Sequence, residues 1–194
     1  MTRNEKGQSL VEMLFTLSIL GSVALTGLTV VTQARRAYAL ASATSELRGL
    51  FQRIRMTAIV RDRNVAIRFR PVDGDAWSWS VYEDGDGDGV RNDDITRGVD
   101  RLIEKPRVFQ HAPIRIGVPA TPVPDPTAPG QLLSLRLPVR FGTSLLCSFS
   151  RMGEATNGSV VLTDGRGATV IRVLGTSARV NVLRWDGKKW TTGV

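Results

Sequence analysis

Asp84, Asp86 and Asp88 alternate with glycines in the segment DGDGDGVRNDDI, and Gly89 follows where a tight turn is needed. Alternate carboxylates on such a turn converge on one centre, as in the D-x-D-x-D-G loops that bind calcium, whose seventh position ligates through its backbone carbonyl. Counted from Asp84, the expected donors are Asp84, Asp86, Asp88, the Val90 carbonyl, the Asn92 side chain and Asp93 or Asp94. Such a loop normally ends on a bidentate Glu, and Ile95 stands there instead. The plain alternative is a solvated acidic loop. Five carboxylates within eleven residues repel one another unless screened or metal-bound, so Ca2+ is the expected cofactor, in a structural role. A catalytic metal would need a neighbouring nucleophile or base, and this segment supplies neither.

Other chemistry is sparse. The chain of 194 residues holds one cysteine, Cys147, and one histidine, His111, which excludes a disulfide framework and Cys-based metal clusters and leaves a catalytic triad without support. No G-x-x-x-x-G-K phosphate loop occurs, so no enzymatic or nucleotide-driven activity is expected. The formal charge of +8 is banded rather than uniform. Residues 1–32 are neutral, 33–70 carry +7, 71–104 carry −7 and 105–194 carry +8. In the last band Arg179, Arg184, Lys188 and Lys189 lie near Trp185 and Trp190, a combination that can hold a polyanion by charge and stacking and makes these four the candidate DNA-binding residues. The same residues also describe outward-facing strand arginines and a hairpin braced by a cross-strand tryptophan pair, with no ligand at all.

From Ser9 to Val31 the chain is apolar except for Glu12, about the length a membrane-spanning helix needs. A secretory signal peptide fits less well. The run exceeds an ordinary h-region, and the first small-residue triplet, Ala39-Leu40-Ala41, comes after Arg35-Arg36. A carboxylate within such a span calls for a cationic partner. Cleavage after Gly7 would create one, because the new α-amino group at Gln8 would lie at the depth of Glu12 on a laterally packed neighbour.

Lys6-Gly7 followed by Gln8-Ser9-Leu10-Val11-Glu12-Met13-Leu14 and an apolar run resembles the type III leader of type IV pilins and pseudopilins. The resemblance implies cutting between Gly7 and Gln8 by a prepilin peptidase, N-methylation of Gln8 and a subunit-assembly role for Glu12. It also implies a single-pass inner-membrane protein whose C-terminal domain stands in the periplasm. The implied partners are other pilins or pseudopilins of one filament and an inner-membrane assembly platform.

Beyond the apolar run, Ala37, Leu40, Ala43 or Thr44, Leu47, Leu50 or Phe51, Ile54 and Ala58 or Ile59 keep helical spacing, and no proline occurs before Pro71, so one helix is expected to continue to about Val60. From Val65 onward short β-rich runs are expected at 65–70, 77–82, 107–110, 114–118, 132–139, 144–149, 159–164, 168–175 and 178–185, with turns at Asp164-Gly165 and Asp186-Gly187. The expected organisation is a leader at 1–7, a transmembrane helix at 8–32, its periplasmic continuation at 33–63 and a β-rich domain at 64–194. The fold class is α+β, a long N-terminal helix packed on an antiparallel sheet domain.

Residues 149–182, FSRMGEATNGSVVLTDGRGATVIRVLGTSARVNV, resemble the C-terminal half of the GspH/FimT class of minor pseudopilins. That resemblance implies a structural subunit of a type II secretion pseudopilus or a related filament. Some FimT-type members resemble DNA receptors through a Gly-Arg-x-Arg motif, which gives DNA uptake as the alternative function. Here Ala178-Arg179-Val180-Asn181 keeps one of the two arginines.

Overall fold

Apolar residues three and four apart select the buried stripe of the first element, α1 (Glu5–Arg61). The computed structural model describes residues 5–73 and 75–193, the side chains of residues 5–9 and 24–29 lying outside the description. The chain divides into two compact units, Met1–Tyr38 and Ala39–Val194.

In the first unit α1 has no polar face over residues 10–23. Leu10, Val11, Met13, Leu14, Phe15, Leu17, Ile19, Leu20 and Val23 are all exposed. The hydroxyls of Thr16, Ser18 and Ser22 donate to the carbonyls of Met13, Leu14 and Ser18 within the same helix. That is how a hydroxyl is satisfied without water. Among the described residues, no helix is long and apolar enough to cross a membrane. Residues 24–29, inside the apolar run, have side chains outside the description.

In the second unit the helix presents Leu40, Ala43, Leu47, Leu50, Phe51, Ile54 and Ala58 as a buried stripe, whereas Ile59 is exposed. Its end is set by geometry rather than by sequence preference. Asp62 takes φ 51, the Asp62 N–H donates to the Ile59 carbonyl, and the Arg63 N–H donates to the Ala58 carbonyl, which together make a Schellman motif.

The strands are β1 (Val65–Val72), β2 (Ala76–Glu83), β3 (Arg101–Val108), β4 (Arg115–Ile116), β5 (Val139–Arg140), β6 (Leu146–Phe149), β7 (Gly158–Thr163), β8 (Ala168–Val173), β9 (Val180–Trp185) and β10 (Trp190–Gly193). A six-residue helix, α2 (Asn92–Arg97), sits between β2 and β3. One sheet has the order β3-β2-β1-β6, and the other β10-β9-β8-β7-β4, with β5 also pairing to β7. All the pairings are antiparallel.

One core unites these layers. It takes the helix stripe, Val65, Ile67, Phe69, Val81 and Phe149 from the first sheet, and Val160, Leu162, Ile171 and Val173 from the second. The Phe51 ring lies 6.1–6.5 Å from the rings of Phe69, Phe141 and Phe149, tilted against each. A second cluster, Val118, Val123, Leu133, Val161, Ala168 and Val170, places the 117–138 loop over the other face of the second sheet.

The α+β class expected from the sequence is the class observed, and four local expectations are corrected. The strand expected at 107–110 begins earlier, at Arg101, because β3 is an edge strand, where Pro106 and alternating charge are tolerated. The run 132–139 contributes only Val139 to a strand. Its Leu133 is buried against the second cluster while Leu132, Leu135 and Leu137 are exposed. The sequence reading contains neither α2 nor β10.

Asp62 is exposed, sits in the left-handed region and places a negative charge at the negative end of the helix dipole. Asp62→Gly is expected to stabilise residues 39–194 by about 0.5–1 kcal/mol, since glycine adopts this conformation without a side-chain clash. Urea unfolding of the two proteins measures the difference.

Candidate functional site

The acidic loop is built by two buried carboxylates that accept mainly from backbone amides. Asp84 closes β2 and is 2% exposed. Its Oδ1 accepts from the N–H groups of Asp86 and Gly87 at 3.2 and 2.7 Å, and its Oδ2 accepts from Gly89 N–H at 2.9 Å and Asn64 Nδ2 at 2.7 Å. Asp100, also buried, accepts from Gly85 N–H at 3.2 Å through Oδ1 and from Arg91 N–H at 2.9 Å through Oδ2. The loop is thereby fastened at both ends.

Burial works to raise the Asp84 pKa, but the hydrogen bonds from Asn64 and from the amides of Gly87, Gly89 and Asp86 outweigh it and hold the carboxyl below its ordinary value. The Asp88 carboxyl is pushed up. Lost hydration acts first, followed by the Asp86 and Asp94 charges, against the pull of Arg91.

Apolar side chains hold the loop down. Val90 is buried with Ala66 and Leu146 on the outer face of the first sheet, and Tyr82 and Ile95 pack against them. Ile95, which stands where a calcium loop carries Glu, therefore serves as a packing anchor. Gly85 is fixed by proximity, because a Cβ there would lie 2.0 Å from the Val99 carbonyl oxygen. Gly89, at φ 97, supplies the turn.

Of the expected calcium donors, the structure gathers Asp84, Asp86 and Asp88, with one carboxylate oxygen of each within 4.8 Å of the others. Two oxygens on one Ca2+ lie at most about 5 Å apart, given bonds of 2.3–2.6 Å, so the three can share an ion. Of the remaining candidates, Asn92 donates through Nδ2 to the Ser144 carbonyl at 3.0 Å while its Oδ1 is buried with no hydrogen-bond partner among the described residues, Asp94 pairs with Arg97, and Asp93 is exposed at the start of α2. The Val90 side chain packs on the sheet, which leaves its carbonyl uncommitted by that contact. Asp100 and Asn64 were not legible as loop-builders, since each reaches the loop from a distant part of the chain.

The four candidate DNA-binding residues do not form one cluster. Arg179 precedes β9, next to Ala178 at φ 46. Arg184 lies opposite Thr191 in the β9–β10 ladder, about 16 Å further along an extended chain. Lys188 and Lys189 form the hairpin turn, where both N–H groups donate to Asp186 Oδ1. The turn amides of Lys189 and Lys188 hold the Asp186 carboxyl below its ordinary value. Trp185 and Trp190 pair across the ladder at 5.4 Å, and Trp190 Nε1 donates to the Pro124 carbonyl at 2.9 Å. These rings therefore brace the hairpin and its covering loop.

His111 pairs with Glu46 and packs on Phe109. Cys147 is buried, and its thiol pKa is raised by loss of hydration. Glu12 is exposed on α1, while the side chains of Gly7 and Gln8 lie outside the described residues.

Asp125 is a further buried carboxylate, outside the acidic loop. Burial opposes its ionisation, but the Thr127 hydroxyl and amide and the Arg140 guanidinium hold its pKa down. Carboxyl groups depressed on folding stabilise the protein fully above the unfolded value of about 3.9, and that contribution disappears as pH falls through the folded value. Stability to urea is therefore expected to decline from about pH 5 toward pH 2, with a shallower slope in Asp84→Asn/Asp125→Asn. At neutral pH, Asp84→Ala is expected to cost about 1–3 kcal/mol by stranding buried donors of the loop.

Residues 43–182, from the helix stripe to the middle of β9, match the family model described as type II transport protein GspH. No characterised protein and no solved structure matches the chain. The matched span takes in the buried helix stripe, most of both sheets and the acidic loop, well over half of the sequence, and on that ground the chain belongs to the GspH family of type II transport proteins.

Proposed function

We propose that this chain is a minor pseudopilin, a structural subunit of a type II secretion pseudopilus or a closely related filament, working by assembly rather than catalysis. The observation that carries the reading is the GspH match over residues 43–182. The leader-like Lys6-Gly7-Gln8 and the apolar, all-round exposed residues of α1 agree with it. In this reading α1 anchors the subunit in the inner membrane and the second unit stands in the periplasm. Prepilin peptidase cuts after Gly7, and Gln8 becomes the methylated terminus. Glu12 attracts the terminus of a neighbouring subunit, because a carboxylate in lipid needs a cation at its own depth. The inner-membrane platform and the other pseudopilins are its partners.

The acidic loop is proposed to hold Ca2+ as a structural ion through Asp84, Asp86 and Asp88. The clustered oxygens support this, as does the raised Asp88 pKa, which a bound cation would relieve. Ca2+ takes six to eight oxygens, so waters or loop carbonyls would complete the shell.

Mass spectrometry of the N-terminal peptide from membranes is expected to show a start at methylated Gln8, and a start at Met1 when prepilin peptidase is deleted. A Met1 start in both strains overturns the pseudopilin reading. Millimolar Ca2+ is expected to raise the melting temperature of residues 39–194, and Asp86→Asn/Asp88→Asn to remove that rise; no shift in the unsubstituted protein removes the ion from the proposal.

A further inference from the structure

A groove of about 520 Å3 lies between the second-unit part of α1 and the β9–β10 hairpin. Arg48, Arg55 and Met56 line it from the helix, and Arg179, Val180 and Asn181 from the strand side. Three arginines thus line one groove, and no carboxylate belongs to the lining.

Three arginines near the end of the helix and in the turn after it have acidic partners. Arg53 pairs with Glu104, and Arg61 and Arg63 pair with Glu83. Arg48, Arg55 and Arg179 form no ion pair among the described residues. Arg55 Nε is buried and has no hydrogen-bond partner among them. A buried donor left unmade is costly, and positive charges lining one groove repel; an incoming anion offsets that repulsion. Guanidinium is also the group that best matches a carboxylate, through paired N–H donors in one plane.

The rest of the lining selects among anions. Met56 is exposed and Val180 half-buried, above the buried Ala178 and Val182. This apolar surface suits side chains rather than a phosphate backbone. No aromatic ring lines the groove, and stacking on aromatic rings is what sequence-tolerant binding of single-stranded nucleic acid relies on. Trp185 and Trp190 are occupied with each other and with the covering loop.

We infer that this groove docks an extended acidic segment of another protein, its carboxylates on Arg48, Arg55 and Arg179 and its intervening apolar side chains on Met56 and Val180. The inference stands on the groove alone and does not depend on the filament assignment.

The test uses the full chain in non-ionic detergent and a fluorescent peptide of alternating Glu and Val. Its Gln-for-Glu counterpart and a single-stranded oligonucleotide of equal charge serve as comparison probes. Anisotropy is expected to show binding of the acidic peptide at low salt, weakened by added salt, with no binding of the Gln peptide. Arg48→Gln/Arg179→Gln is expected to weaken binding by about tenfold or more, the loss typical of an arginine anchor. Arg184→Gln/Lys188→Gln, outside the groove, is expected to leave it unchanged. Circular dichroism confirms that each variant is folded, and Arg48→Gln alone serves if the double variant is not. Tighter binding of the oligonucleotide than of the acidic peptide overturns the inference in favour of a nucleic acid. Self-association in sedimentation that the groove variants abolish overturns it in favour of a second copy. Peptide binding indifferent to the groove variants, or absent at low salt, overturns it outright.

Discussion

Everything in the second unit depends on the contact of Phe51 with Phe69, Phe141 and Phe149. These four rings come from the helix, from β1, from the segment after β5 and from β6, so one aromatic cluster ties the helix to strands of the first sheet and to the chain entering from the second. Phe69 and Phe141 stack at 5.9 Å with planes 7° apart, and Phe51 caps them at a tilt. Removing one such ring from a packed core costs about 3–5 kcal/mol, comparable with the whole net stability of many domains. A helix held this way fixes the inner face of the sheets, and their outer faces are then free to carry loops. The 117–138 loop takes one outer face, and the acidic loop with α2 takes the other.

That arrangement holds the acidic loop through contacts of the chain itself. Repulsion among its carboxylates is offset locally, since Asp84 and Asp100 face backbone amides while Asp88 and Asp94 face Arg91 and Arg97. Val90 and Ile95 supply the apolar hold on the sheet that a bidentate Glu does not. An ion bound by Asp84, Asp86 and Asp88 would reinforce a preformed turn instead of creating it.

The helix was legible because its pattern is local: a three- and four-residue apolar spacing from Leu40 to Ala58 needs no distant partner to be recognised. Most strands of both sheets were legible for the same reason. Two of the edge strands were less so. β3 carries Pro106 and mixed charge, which only an edge position tolerates, and β10 is four residues whose pairing with β9 is what makes them a strand. In the candidate site, the alternation of Asp84, Asp86 and Asp88 reads directly as convergence. The roles of Asn64 and Asp100 do not, because a side chain arriving from another segment leaves no spacing to read. Arg179 stands apart from Arg184 for a related reason: residues along one extended strand separate by about 3.3 Å each.

The charge bands acquire their meaning only in the folded chain. Some arginines of the 33–70 band meet acids of the 71–104 band, as Arg53 with Glu104 and Arg61 and Arg63 with Glu83. Such partly exposed pairs contribute little stability individually, about 0–1 kcal/mol. Their larger effect is on what is left over. The 105–194 band has few acids of its own, and its described ion pairs are Arg115 with Asp75, Arg140 with Asp125 and His111 with Glu46. The surplus positive charge of the molecule therefore falls on the later strands and the hairpin. Where that surplus meets Arg48 and Arg55 of the helix, the fold creates a concave cationic surface that neither segment forms alone.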